Sequence, residues 1–305
     1  MIESIPNISE GQRPAVLAAL TAVLRGVPGL RVLDISADAA HHRSVFTYAG
    51  ESVALEAAAL ALIATAIAHI DLRTHRGVHP RMGAVDVLPF VPLEGATLED
   101  CIAVARRVGA TVATRFDLPV YLYESAASRP GRRKLEDIRR GQFEGLADRF
   151  ADPEWAPDFG PARPHPTAGA IAIGARRPLV AFNINLDSQR LDVARAIAHT
   201  IRERDGGLAS VKALGLPLAD RGIVQVSMNL TDYTVTPPAV VFAAVQREAA
   251  RYGVAVRESE LIGLIPQAAL SGTSAAALQL AGFRDDQVLE VRLARTPPNG
   301  GTPSP

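Results

Sequence analysis

The sequence predicts an α+β fold: two ferredoxin-like (βαββαβ) subdomains with a cleft between them. Three observations support this. A strand–helix–strand–strand–helix–strand pattern runs over residues 2–89 and again over 178–261. The 305 residues suit two domains at ~100–200 residues each. The core must be aliphatic, because 48% of residues are hydrophobic and only 5% are aromatic.

The first repeat opens with a short strand over 2–7. Helical spacing follows over 13–27 (Val16, Leu17, Leu20, Val23, Leu24) and is stopped by Gly26 and Pro28. β-branched and aromatic runs at 31–36 and 43–49, joined by a polar turn, predict two strands. Ser52 is placed to cap a helix over 53–70. That stretch contains Glu56 and is rich in Ala, so it reads as a core helix rather than a membrane span. A strand at 84–89 closes the repeat, and a helix at 98–116 and a strand at 119–123 extend it.

The second repeat reads as strand 179–185, helix 191–204, strands 209–214 and 223–229, helix 237–252 and strand 254–261. Pro stands in the first turn of helix 237–252, where its missing N–H costs little. Residue-level self-similarity is slight, so the repeat is one of architecture. Between the repeats, 124–177 is the least regular part, and a stretch this long is either functional or disordered. Phe143, Trp155 and Phe159 predict that it is ordered. The expected domains are 1–177 and 178–295, followed by a Pro/Gly/Ser/Thr-rich tail, 296–305, expected to be disordered.

Lys134 and Lys212 are the only lysines among 32 basic residues, which balance 32 acidic ones. Without an excess of positive charge, neither nucleic acid nor a membrane surface is an expected partner. The preference for Arg reads first as a coding bias, although a guanidinium grips carboxylates bidentately where an ammonium does not. Cys101 stands alone, which excludes an internal disulfide and a Cys-based zinc site. Met1-Ile2-Glu3-Ser4 lacks the basic region and apolar run of a signal peptide, so the chain reads as cytoplasmic.

The densest polar cluster is His75-Arg76-Gly77-Val78-His79-Pro80-Arg81-Met82-Gly83-Ala84-Val85-Asp86, on a helix-to-strand connection. Imidazoles there can move protons at neutral pH. A second cluster, Asp38-Ala39-Ala40-His41-His42-Arg43-Ser44, lies at the turn between two strands. The expected geometry puts this turn and the connection at opposite ends of the sheet, so the two are not predicted to meet. Each also reads as an ordinary polar loop, with Asp38 a turn residue and Arg43 an edge charge. His75 and His79, with His41, His42 and Asp38, can be read as metal ligands, but Gly77 and Pro80 break the helical face such pairs use. No metal is expected.

These residues resemble the glutamate formimidoyltransferase family, the transferase part of formiminotransferase-cyclodeaminase. The matching stretches are Ser4-Ile5-Pro6-Asn7-Ile8-Ser9-Glu10-Gly11, His79-Pro80-Arg81-Met82-Gly83-Ala84 and Pro119-Val120-Tyr121-Leu122-Tyr123. They continue with Trp155-Ala156-Pro157-Asp158-Phe159-Gly160-Pro161 and Ala181-Phe182-Asn183-Ile184-Asn185-Leu186. Gln225-Val226-Ser227-Met228-Asn229-Leu230 and Leu261-Ile262-Gly263-Leu264-Ile265-Pro266 complete the set. Each is weak alone; in order, over residues 3–270, they are specific.

The resemblance implies transfer of the formimidoyl group from N-formimidoyl-L-glutamate to tetrahydrofolate, a co-substrate, in histidine degradation. The products are 5-formimidoyltetrahydrofolate and L-glutamate. It implies His79 as the catalytic acid/base and a folate-binding loop of Gly160, Pro161, Ala162, Arg163, Pro164, His165, Pro166, Thr167, Ala168 and Gly169. It also implies a homodimer with small-molecule substrates, a stand-alone transferase without the cyclodeaminase. The chemistry then singles out Asp38 and Asp86 as neighbours for a cationic amidine, and Arg43, Arg81 and Arg176 as partners for the carboxylates of glutamate and folate. The chain departs from the family at Val78, commonly acidic, and at His42, commonly Asn. Those departures motivate two alternatives: a folate-binding or regulatory homologue with weakened activity, or a formyl or formimidoyl transferase using another amino-acid donor.

Overall fold

Residues 1–39, 41–77 and 80–300 are described by a computed structural model, and the expected α+β pattern forms in two units. One comprises residues 1–176 with the chain from Thr296; the other is 177–295. In the first unit β1 (Ile2–Ser4) and β2 (Asn7–Ile8) act as one interrupted strand. The break falls at Ile5-Pro6, where Pro6 has no N–H to give to a ladder. α1 (Pro14–Arg25), β3 (Arg31–Asp38), β4 (Arg43–Gly50), α2 (Ser52–His69) and β5 (Val85–Pro92) follow. β1 and β2 lie between β4 and β5, antiparallel to both, and β3 pairs with β4.

Helices α1 and α2 cover one face of this sheet. Leu55, Ala58, Ala59, Leu62, Ile63 and Ala66 of α2 recur at helical spacing and pack in the core with Leu20, Leu24, Phe46, Tyr48, Leu88 and Phe90. α2 is long and apolar enough to cross a membrane by composition; its buried residues instead form this core. Its cap position is Glu51, not Ser52, and no side chain caps it, because Ser52 is already helical.

α3 (Leu98–Phe116) has the boundaries that the sequence predicts, since a capping box fixes its start. The Thr97 hydroxyl accepts from the Asp100 N–H at 3.2 Å, and the Asp100 carboxylate accepts from the Thr97 N–H at 2.8 Å. The chain continues through β6 (Val120–Glu124), short helices α4 (Leu135–Ile138) and α5 (Leu146–Phe150), and β7 (Ile171–Ala175). β7 inserts between β5 and β6, parallel to both, so the stretch after residue 124 is part of the sheet and not only a linker. α4 and α5 bring Ile138 and Leu146 onto the second face of the sheet, against Val87, Tyr121, Tyr123 and Ala172.

A buried ion pair fixes this segment. Arg132 Nη1 donates to Asp158 Oδ2 at 2.8 Å, with side chains only 2% and 6% exposed. The same Asp158 oxygen accepts from Leu122 N–H of β6 at 2.7 Å. Arg132 also donates to the carbonyls of Glu154 and Ala156.

In the second unit β8 (Val180–Leu186), α6 (Leu191–Ile201), β9 (Val211–Leu218), β10 (Ile223–Leu230), α7 (Pro238–Arg251) and β11 (Val256–Ile262) form an antiparallel sheet in the order β11-β8-β10-β9. Its core is Phe182, Ile184, Ile197, Val226, Val241 and Val245. α6 ends at Ile201, short of the expected 204, where a single tight turn leads to Gly206 in left-handed backbone. Arg177 belongs to this unit and pairs with Asp232 at 3.6 Å, one residue before the expected boundary.

After α8 (Leu289–Arg295) a disordered tail is expected over 296–305, and its described part, 296–300, is held against the end of α1. Asn299 donates to the Leu24 and Val27 carbonyls at 2.8 and 3.0 Å and accepts from the Gly29 N–H at 3.0 Å, satisfying groups left over at the end of α1. Residues 301–305 lie outside the described residues.

Replacing Arg132 by Ala leaves the Asp158 carboxylate buried without its partner, a change of ~3–5 kcal/mol. The urea unfolding midpoint should fall accordingly and 124–170 should become protease-sensitive; an unchanged midpoint would show that the pair does not anchor the segment.

Candidate functional site

Three connections meet at one end of the first sheet: the loop after β2, the β3–β4 turn, and the connection from α2 to β5. The turn and the connection do not lie at opposite ends, contrary to the sequence expectation. β4 runs from the turn to the start of α2, and α2 returns the chain to the level of the turn. Tight backbone contact follows. A Cβ on Gly77 would stand 2.6 Å from the His41 carbonyl oxygen, and one on Gly11 would stand 2.3 Å from the Asp38 carbonyl oxygen. Glycine is therefore needed at both positions.

Glu10 lies at the centre of this junction with no exposed side-chain surface. Its Oε1 accepts from the N–H groups of Gln12 and Arg13 at 2.8 and 2.9 Å, and Arg13 Nε donates to Oε2 at 2.5 Å. Burial opposes ionisation, but these donors outweigh it and hold the carboxyl below its usual range. His42 Nε2 lies 3.3 Å from the same Oε1.

The rings of His42 and His75 stack, with centroids 4.1 Å apart and an interplanar angle of 12°. Arg81 Nε can only donate, so His75 Nδ1 accepts from it at 3.2 Å, and the ring proton sits on Nε2, facing the His42 carbonyl at 3.0 Å. Burial, which leads the neighbouring charges, lowers the His75 pKa and keeps this ring neutral. Arg81 is itself buried, and its fork is held bidentately by Glu144 at 2.7 and 2.8 Å.

Asp86 occupies a β-bulge: Asn7 and Ile8 pair with Val87 and Val85, so Asp86 is the extra residue and its carboxylate is re-aimed. It accepts from the Met82 N–H at 2.8 Å and pairs with Arg139 from the segment after α4. Arg43 is lowered to about 10 by burial and then by the nearby Arg139 charge, with Asp86 opposing. A small pocket is lined by Ser9, His42, Arg43, His75, Arg81 and Asp86, among others. Asp38 caps the turn, its Oδ1 accepting from the His41 N–H at 2.8 Å, and its Oδ2 lies 2.8 Å from the His41 ring. Arg176 lies beside Tyr123 of β6.

The stretch 160–169 adjoins the same junction. His165 and Gly169 exchange backbone hydrogen bonds at 2.8 and 3.0 Å, and the Thr167 carbonyl accepts from the Leu72 N–H at 2.8 Å. Ala168 O accepts from Ala84 N–H, and Met82 O from Ala170 N–H, both at 3.0 Å. His165 Nδ1 accepts from the Ala168 N–H at 3.0 Å, and burial lowers its pKa. Arg163 is exposed and paired with Asp117. His79 and Val78 lie outside the described residues; the described neighbours Gly77 and Pro80 belong to the junction's connection.

Sequence reasoning does not single out Glu10, Glu144 or Arg139 individually. Glu10 carries a signal, since it stands between Ser9 and Gly11 in the first matching motif. Glu144 and Arg139 carry none, because their partners come from more than fifty residues away. Among the described residues, no group of three or more His, Cys, Asp or Glu is arranged to hold a metal ion.

Two family descriptions match the chain: the formiminotransferase domain, N-terminal subdomain, over residues 1–176, and the formiminotransferase domain over 181–282. The chain is 44% identical over 294 residues to the glutamate formimidoyltransferase of Streptococcus pyogenes serotype M1, covering 96% of this chain and 98% of that protein. It is 42% identical over 297 residues to the glutamate formimidoyltransferase of Thermoplasma acidophilum, covering 97% and 98%. Against the formimidoyltransferase-cyclodeaminase of Rattus norvegicus it is 39% identical over 281 residues, covering 90% of this chain and 52% of that protein.

His75 and His165 share a lowered pKa, which sets the sign of a pH effect. The fold favours their neutral forms, so their contribution is present above the ordinary histidine value of ~6.5 and is lost as pH falls through the lower folded values. Urea midpoints should decline on the acid side of that value, and a His75→Asn/His165→Asn double variant should decline less steeply. Parallel curves would exclude these two residues as the source.

Proposed function

The chain belongs to the formiminotransferase family, and on that premise we propose that it transfers the formimidoyl group of N-formimidoyl-L-glutamate to tetrahydrofolate. The products are 5-formimidoyltetrahydrofolate and L-glutamate, as in histidine degradation, and the setting is cytoplasmic. The observation that carries this is the end-to-end match to two proteins named for glutamate formimidoyl transfer. The junction of the first unit supports it, because it gathers imidazoles, guanidiniums and carboxylates suited to cationic and anionic groups on one small substrate.

His79 is the acid/base, assigned by the position of His79-Pro80-Arg81-Met82-Gly83 in the matching motif. A neutral imidazole accepts the proton released as the attacking amine forms its bond to the amidine carbon. The resulting imidazolium returns that proton to the departing glutamate nitrogen, so the residue ends the cycle as it began. His75 is poorly suited to that role, because both of its ring nitrogens are engaged, one accepting from Arg81 and the other donating to His42.

In this reading the charged candidates take separate roles. Asp86 is held by Met82 and Arg139 and acts as a clamp on 82–86. Arg81 is gripped by Glu144, which is itself 61% exposed, so a substrate carboxylate binds Arg81 by taking the place of Glu144. Arg43 lines the pocket and serves the same carboxylate chemistry. The 160–169 loop holds the folate; His165 braces its backbone and Arg163 faces solvent with Asp117.

Purified protein given formimidoylglutamate and tetrahydrofolate should form the 5-formimidoyl adduct, read by absorbance, and His79→Ala should lose ~10²–10⁴-fold in turnover with little change in folate affinity. Absence of adduct while folate still binds would refute the transferase function; equal turnover in the variant would remove His79 from the mechanism. Arg163→Ala and His165→Ala should weaken folate binding in titration calorimetry, and unchanged affinity in both would detach the loop from folate.

A further inference from the structure

We propose that His42 is a positioning residue for the connection that carries His79, acting on that connection through its ring and carbonyl rather than on substrate. The proposal rests on the assignment of His79 as the acid/base. His42 stands in left-handed backbone, with φ 51°, a region that few residues other than Gly, Asn, Asp and His enter.

Four contacts hold it, and three of them bear on the connection. The Arg76 carbonyl oxygen lies 2.7 Å from His42 Nδ1, the His42 carbonyl faces His75 Nε2 at 3.0 Å, and the two rings stack at 4.1 Å. The fourth, at 3.3 Å, places His42 Nε2 against the Glu10 carboxylate. A carbonyl oxygen only accepts, so His42 Nδ1 donates to Arg76, and the ring reaches from there to Glu10 on another segment, a span that a shorter polar side chain does not cover. Gly77 adds to the fit, since a Cβ there would stand 2.8 Å from His42 Cβ.

The consequence falls on the residues just beyond. The chain is fixed at 75–77 by His42 and again at Arg81 and Met82 by the His75 ring, by the Phe143 N–H on the Arg81 carbonyl at 3.0 Å and by Asp86 on the Met82 N–H at 2.8 Å. Only 78–80 separates the two anchors, so His79 is bracketed in sequence by held ends. Loss of the first anchor changes where the connection presents its proton-transfer group without removing any atom that meets the substrate. Displacements of about 1 Å in such a group are worth ~10²-fold in rate.

The test is a cycle of His42→Ala, His79→Ala and the double variant, with His42→Asn beside it. His42→Ala should remain folded, lower kcat by ~10–100-fold, leave KM for tetrahydrofolate within about two-fold, and speed amide hydrogen exchange over 75–81. His42→Asn, which tolerates left-handed backbone and keeps a donor toward Arg76 but cannot stack, should recover part of the loss. The double variant should be no slower than His79→Ala alone, because the two act as a unit. An unchanged kcat in His42→Ala, or an equal further loss on the His79→Ala background, overturns the proposal. If His79→Ala keeps full activity, the assignment of His79 fails, and this proposal fails with it.

Discussion

A carboxylate with no access to water, Glu10, is the constraint on which the functional end of the first unit depends. Burying such a charge is unfavourable unless nearly every lone pair finds a donor. Here the donors are the N–H groups of Gln12 and Arg13 at the entrance to α1 and the Arg13 guanidinium, while the ring of His42 lies against the carboxylate from across the β3–β4 turn. Arg13 reaches further, donating to the His69 carbonyl at the end of α2 at 2.9 Å. One charge thus fixes where α1 begins, where α2 ends and how the turn is oriented. The helix–strand connection is held through the turn, by way of His42 and His75.

Much of this architecture is legible in the sequence because the signals are local. Thr97 and Asp100 announce α3, Pro238 opens α7, and the apolar spacing of α1 and α2 needs no knowledge of distant residues. β7 is not legible. Ile171-Ala172-Ile173-Gly174-Ala175 is short, buried on both faces and parallel to its neighbours, so it lacks the alternation that marks a half-exposed strand. The meeting of the turn with the connection is hidden too, because it depends on how β4 and α2 carry the chain back through space and no local signal records that. The clusters themselves, Asp38 to Ser44 and His75 to Asp86, are visible; the bonds between them arise only from tertiary packing.

The surplus of Arg over Lys has a structural use whatever its origin. Arg132 with Asp158, Arg81 with Glu144 and Arg139 with Asp86 each place a guanidinium against a carboxylate in or beside the sheet's second face. Arg132 and Arg81 also spread their donors over further acceptors, two carbonyl groups for the former and a histidine ring for the latter. An ammonium, a point charge with no planar fork, does not reproduce those arrangements. Irregular chain between residues 124 and 170 thereby gains fixed points that its sparse apolar residues alone do not provide.

The second unit shows which part of this belongs to the fold and which to the site. Its strand order β11-β8-β10-β9 matches the antiparallel part of the first sheet, β5-β1-β4-β3, and its turn between the second and third strands reaches the last strand: Arg221, at the β9–β10 turn, bonds to Glu258 and Glu260 of β11. Meeting of the turn with that side of the unit is therefore a property of the β-α-β-β-α-β path. What differs is the connection after the second helix, which spans 252–255 in the second unit and 70–84 in the first. The short one allows only a tight reversal at Gly253. The long one has room for His75, for Arg81 and for Gly77, which lets backbones touch. It needs the grip of Glu10, His42 and Glu144 because a long loop carries more conformational freedom. The site follows from lengthening one connection at a place where the fold already brings two loops together.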